Sequence, residues 1–107
     1  MSVLAGATLT NQGTINPNSI NNSGNIDNNS EIITSELANA GTITGTGNVE
    51  LTGNSTNTGS ITQNSLKITS GKLTSSNEIN ANIENNSEIE NTGSINGNVS
   101  NKNIIAN

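Results

Sequence analysis

The chain has 107 residues and a net charge of −5, with 24 Asn, 14 Ser, 14 Thr and 11 Gly, and with no aromatic residue, His, Cys or Arg. The missing residue types exclude a disulfide framework and thiolate metal sites, remove the commonest general base, and leave nothing to stack on bases or to grip a phosphate bidentately. The acidic balance opposes nucleic acid and anionic lipid, and no apolar run approaches the ~18 residues of a membrane span.

Taken from the N-terminus, Met1–Thr10 has neither a basic segment nor a long apolar run and is read as carrying no signal peptide. From there isolated aliphatics recur at steps of five and six: Leu9, Ile15, Ile20, Ile26, Ile32, Leu37, Ile43, Val49. Neither the helical period nor a plain strand alternation produces such steps, but three of them close a repeat of 17 residues. The composition by itself reads as disorder; the regular order of the residues argues for a folded repeat.

The repeat sorts the aliphatics into three columns. The first is Leu9, Ile26, Ile43, Ile61, Ile79 and Ile95; the second is Ile15, Ile32, Val49, Leu66, Ile83 and Val99. The third is Leu4, Ile20, Leu37, a gap near Thr56 that predicts a packing defect, then Leu73, Ile89 and Ile105. A second pattern keeps the same phase. Asn22, Asn39, Asn57 and Asn91 stand four residues before the first column, and Gly24, Gly41, Gly59 and Gly93 two before it. The spacing predicts a single domain over 1–107, a three-sided β-solenoid of about six coils. One aliphatic per side points inward between two outward neighbours. Gly is expected to supply positive φ at one corner, and stacked Asn to bond up and down that corner. Leu51 and Ile68, two residues past the second column, are expected to point inward as well. Lys67 is expected between Glu50 and Glu84, and Lys72 beside Glu88, as cross-coil charge pairs.

Few residues suggest chemistry. Glu88 and Glu90 flank Ile89 and read as a solvated face, because no base or Arg accompanies them. Asp27-Asn28-Asn29-Ser30-Glu31 lacks the alternating acids and turn Gly of a calcium loop. No catalytic, metal or cofactor site is expected, and the chain reads as a non-enzyme. Thr8-Leu9-Thr10, Thr42-Ile43-Thr44 and Ser60-Ile61-Thr62 put hydroxyl pairs on one side, a pattern that an ice-binding surface would use, with Asp27 and Glu78 interrupting it.

Two resemblances follow from these motifs. The Asn-x-Gly-x-Ile units, with Asn57–Ile61 followed by Leu66-Lys67-Ile68, resemble the repeats of filamentous-haemagglutinin-type secreted adhesins over residues 11–95. Gly93–Val99 with Lys102–Ile105 resembles bactofilins, bacterial cytoskeletal proteins built as a six-coil β-helix that polymerises end to end. Both resemblances imply a right-handed parallel β-helix and a structural role. The expected function is therefore a self-assembling subunit of a bacterial extracellular or cell-surface filament, polymerising head to tail with copies of itself through Val3, Leu4, Ile104 and Ile105. A cytoplasmic bactofilin-like filament and an ice-binding solenoid are the alternatives.

Overall fold

The computed structural model describes residues 1–106 and is a β-solenoid of about six coils, all-β among those residues. The first face carries β2 (Thr8–Asn11), β5 (Asn25–Asn28), β8 (Thr42–Thr44), the leading parts of β11 (Ser60–Ile68) and β13 (Glu78–Asn85), and β15 (Ser94–Asn96). The second face carries β3 (Thr14–Ile15), β6 (Glu31–Thr34), β9 (Asn48–Leu51), the trailing parts of β11 and β13, and β16 (Val99–Asn101). The third carries β1 (Ser2–Val3), β4 (Ser19–Asn22), β7 (Glu36–Asn39), β10 (Ser55–Asn57), β12 (Lys72–Ser75), β14 (Glu88–Asn91) and β17 (Ile104–Ala106). Every pairing is parallel, as when a coil lies on the coil before it. The third face is a seven-stranded sheet, while the other two join through β11 and β13 into one ten-stranded sheet.

The 17-residue register is the one the aliphatics announce. Leu9 pairs with Ile26, Ile26 with Ile43, Ile43 with Ile61, Ile61 with Ile79 and Ile79 with Ile95. The second column stacks in the same way. Each strand has room for a second inward residue two positions on, so the interior has three aliphatic columns at the faces and three further columns at the corners. Leu51 and Ile68 fill one of those corners and are fully buried. Burial of these side chains contributes about 1.5–3 kcal/mol each, but no aromatic ring thickens the core. The molecule is correspondingly slender, 34 × 23 × 22 Å.

Two details differ from the sequence reading. Leu4 is not the foot of the third column: Val3 stacks under Asn22 at the corner, and Leu4 lies in the following turn, 72% exposed, its carbonyl accepting the Ala7 N–H at 2.9 Å. The break in the same column falls on Ser55 rather than Thr56. Ser55 takes the inward place between Leu37 and Leu73, and its hydroxyl accepts the Leu37 N–H at 3.1 Å. A buried backbone donor is thus satisfied by a side chain small enough to leave room for the bond.

The wandering spacing of the later coils also has a local cause. Between the first and second faces Leu9 and Ile15 are six residues apart, but Ile79 and Ile83 only four. There β11 and β13 run round the corner as continuous strands, with one bulge between Thr62 and Ser65. The next corner lengthens in compensation, from five residues between Ile15 and Ile20 to seven between Leu66 and Leu73.

One buried group is left over. Thr34 stacks in register under Leu51, and its Oγ1 is the one buried side-chain polar atom without a hydrogen-bond partner among the described residues. Thr34→Val keeps the shape and removes the unpaired hydroxyl. It is expected to stabilise the fold by about 1 kcal/mol, read as a higher urea midpoint at unchanged m-value.

Candidate functional site

The residues singled out from the sequence fall into two places: an internal asparagine ladder and the two ends of the coil stack. The ladder begins where each third-face strand ends. Asn22 Nδ2 donates to Asn39 Oδ1 at 2.8 Å, Asn39 Nδ2 to Asn57 Oδ1 at 2.8 Å, and Asn57 Nδ2 to Ser75 Oγ at 3.3 Å. Ser75 therefore holds the place of the missing asparagine in the coil between Asn57 and Asn91. Each amide also bonds to the carbonyl of a residue further on: Asn22 to Thr42, Asn39 to Ser60, Asn57 to Glu78. Asn22 and Asn91 accept the N–H of the glycine two residues on, at 3.2 and 3.1 Å, which shapes the turn. Buried amides are costly unless paired, and this stacking pairs them within one column.

The glycines next to this ladder are needed for a reason other than φ. None of Gly24, Gly41, Gly59 and Gly93 has positive φ. A Cβ on each would instead run into backbone of the coil beneath: Leu4 O, Gly24 O, Gly41 O and Asn77 O respectively. Their function is close approach of coil to coil.

A second ladder, on the first corner, was not apparent from the Asn-x-Gly-x-Ile motif. Asn11 Nδ2 donates to Asn28 Oδ1 at 2.8 Å. In the next coil the position belongs to Gly45, whose φ of +114° favours glycine. Gln63, one methylene longer than Asn, reaches across that gap: Asn28 Nδ2 donates to Gln63 Oε1 at 2.6 Å, two coils away. Gln63 Nε2 then donates to Thr44 O at 2.8 Å and to Asn28 O at 3.2 Å. On the remaining corner Asn85 Nδ2 donates to Asn101 Oδ1 at 2.7 Å.

At the ends, the described residues leave four large apolar side chains exposed, and all belong to the first and last coils: Met1 (43%) and Leu4 (72%), Val99 (41%) and Ile104 (53%). Of the other expected end residues, Val3 is buried and Ile105 is half-buried against the core. Met1, Val3, Leu4, Ala7 and Leu9 line a shallow apolar hollow at the N-terminal end.

The outer surface carries two ion pairs among the described residues. Lys67 lies in register between Glu50 and Glu84, and its ammonium is 3.6 Å from the Glu84 carboxylate. Glu50 instead accepts the Thr69 hydroxyl at 2.9 Å. Lys72 lies in register with Glu88, but its ammonium bonds to Glu90 at 3.0 Å, so this pair is diagonal. The Asn86 amide, and after it the Lys67 charge, hold the Glu84 carboxyl below its usual range. The hydrogen bond and charge of Glu90, with Glu88 behind, raise Lys72. A lowered carboxylate stabilises the fold above its unfolded pKa and loses that contribution as pH falls through the folded value. A raised lysine contributes below its unfolded pKa and loses it as pH rises through the folded one. The parent's advantage over Glu84→Gln in melting temperature is therefore expected to be small at pH 7 and to vanish as the pH is taken well below 4.5.

The first face presents Thr8, Thr10, Thr42, Thr44, Ser60 and Thr62 outward, stacked with Asn25, Asp27, Glu78 and Asn80. Several of these groups bond to one another: Thr42 Oγ1 donates to Asn25 Oδ1 at 2.7 Å, and Asn80 Nδ2 to Thr62 Oγ1 at 3.3 Å. No helix among the described residues is long and apolar enough to cross a membrane. Comparison with family models, curated proteins and solved structures finds no match to this chain.

Proposed function

We propose that this chain is a structural, non-enzymatic module that assembles head to tail with copies of itself into a filament. The observation that carries the reading is the location of the exposed apolar side chains. Met1 and Leu4 at one end and Val99 at the other flank strand edges whose N–H and C=O groups face along the axis, whereas Ile104 stands on the outside of the third face in register with Glu88. Such edges template further pairing, and a head-to-tail contact between unlike ends gives an open fibre rather than a closed oligomer. A fibre outside the cell or on its surface suits an outer coat of Ser, Thr and Asn without Cys or aromatics. A cytoplasmic filament is the alternative setting.

Sedimentation velocity over a range of concentrations, with electron microscopy of the same samples, tests this. Mass should rise with concentration and fibres about one coil stack wide should form. Leu4→Lys with Val99→Lys should remain monomeric while keeping its strand signal in circular dichroism. A parent chain that stays monomeric at high concentration overturns the reading. If that monomer also arrests ice-crystal growth, the first face becomes the functional surface, although its hydroxyls are partly spent on bonds within the face.

A further inference from the structure

Asparagines fill both the ladders and the outer surface, and the fold treats their chemistry differently in the two places. Asparagine is a thermolabile residue and can lose its amide without an enzyme. The backbone nitrogen of the following residue attacks Cγ, a C–N bond forms, and the side-chain nitrogen leaves as ammonia with the proton of that N–H. Water then opens the five-membered imide at either carbonyl, giving aspartate or isoaspartate. The reaction needs an accessible amide, an unengaged N–H after it, and no side chain shielding that nitrogen. We propose that Asn96 is the site at which the folded chain undergoes this modification, with water as the one co-reactant. The inference does not depend on assembly.

Asn96-Gly97 is the one Asn-Gly in the sequence. Glycine leaves the attack open, because it has no Cβ beside the nitrogen. The fold also demands that glycine: Gly97 has a φ of +148°, and a Cβ there would run into Ala81 O. The nucleophile is unengaged as well. Elsewhere the residue after a strand donates to the coil beneath: Ser23 N–H to Val3 O at 2.8 Å, Asn29 N–H to Asn11 O and Thr69 N–H to Leu51 O at 2.9 Å. The Gly97 N–H makes no such bond among the described residues. Asn96 and Gly97 are both exposed, and the chain bends at Gly97, between β15 and β16. The Asn96 amide is held by one exposed contact, from Nδ2 to Asn80 Oδ1 at 2.8 Å, which water can replace.

Ladder asparagines are the opposite case. Asn22 is buried, its amide bonds to Asn39 and Thr42, and the Ser23 N–H behind it is taken by Val3 O. Behind Asn86, the Ser87 N–H donates to Asn85 Oδ1 at 3.2 Å. Conversion of Asn96 also has a structural consequence. Aspartate loses the bond donated to Asn80. Isoaspartate in addition puts a methylene into the main chain between Ile95, paired with Ile79, and Val99, paired with Ile83. The extra atom must be taken up between them, where Asn98 O accepts the Ile83 N–H at 2.8 Å.

The test incubates the full chain folded, and in parallel unfolded in urea, in mildly alkaline water enriched in heavy oxygen. Cleavage after Lys67, Lys72 and Lys102, followed by fragmentation in the mass spectrometer, locates each new acid. In the folded chain nearly all of the early label is expected at Asn96, as both aspartate and isoaspartate, while Asn22 and Asn86 gain label only in urea. Asn96→Gln should lose the early label and keep the strand signal in circular dichroism. An Asn96 that reacts in urea but stays intact in the folded chain overturns the proposal. So does early label spread evenly over the exposed asparagines. The isoaspartate form, separated by ion exchange, should exchange its Ile83 N–H with solvent faster than the parent; equal exchange removes the consequence for pairing.

Discussion

Asn39→Asp is expected to destabilise the fold by about 3–5 kcal/mol at neutral pH, the range for an uncompensated charge in a buried site. Asn39 is buried in the middle of the longest ladder and uses both ends of its amide. Its Oδ1 accepts Asn22 Nδ2, and its Nδ2 donates to Asn57 Oδ1 and to Ser60 O. A carboxylate keeps the first bond and reverses the other two, setting its second oxygen against two acceptors. Desolvation and those acceptors both raise the folded pKa of the new group, so the folded state holds its proton more tightly than the unfolded chain. Stability relative to the parent should then recover as pH falls below the folded pKa, because the protonated acid can again donate to Asn57. Asn39→Leu behaves differently: it strands Asn57 Oδ1, weakens the satisfaction of Asn22, and should cost about 1–3 kcal/mol for each group left unpaired, independently of pH. Urea unfolding of the three chains at pH 7 and pH 4 separates these outcomes. An Asn39→Asp chain as stable as the parent at pH 7 would remove the ladder from the account of stability.

The ladder also shows which features the sequence made legible. Aliphatic columns are easy to read because burial selects one residue class at every coil, and Leu9, Ile26, Ile43 and Ile61 share no other reason to recur. The Asn column was legible for the same reason over four coils. It was not legible where chemistry changed and function did not. Ser75 offers a hydroxyl in place of an amide, and Gln63 reaches over Gly45 to Asn28, a bond that skips one coil where the repeat suggests contacts only between adjacent coils. Ser55 was missed because a short polar residue in an apolar column looks like a gap, whereas its hydroxyl takes over a backbone bond to Leu37. Leu4 was misplaced because register at the first coil is fixed by pairing with the next strand, and Val3 rather than Leu4 stacks under the corner.

The glycine column was legible as a position and misread as a cause, and that distinction makes an experiment decisive. If Gly41 were kept for its φ, alanine would be strained locally. With φ in the ordinary region, the obstacle is the Gly24 backbone, whose carbonyl oxygen lies where the Cβ must go, with Gly24 C and N each at 3.0 Å. Backbone in a short bend held between two paired strands cannot step aside as a side chain can. The chain contains its own control in the fifth coil, where Asn77 occupies the stacked position between Gly59 and Gly93. There the Glu78 N–H to Gly59 O bond is stretched to 3.4 Å, against 3.0 Å for Thr42 on Gly24 and for Ser60 on Gly41. One side chain is thus accommodated by opening the coils a few tenths of an ångström. Gly41→Ala is accordingly expected to cost about 1–3 kcal/mol through overpacking, reduced by the ~0.4–1 kcal/mol that losing a glycine contributes through the unfolded chain. Gly41→Ala with Gly59→Ala opens two consecutive junctions beside the one Asn77 already strains, so its cost should exceed the sum of the singles. Gly13 provides the opposite sign: an added Cβ there meets nothing within 4 Å and its φ is not positive. Gly13→Ala should therefore raise stability by about 0.4–1 kcal/mol, measured on dilute monomer. If Gly41→Ala and Gly13→Ala shift the urea midpoint alike, coil-to-coil approach is not what these glycines secure.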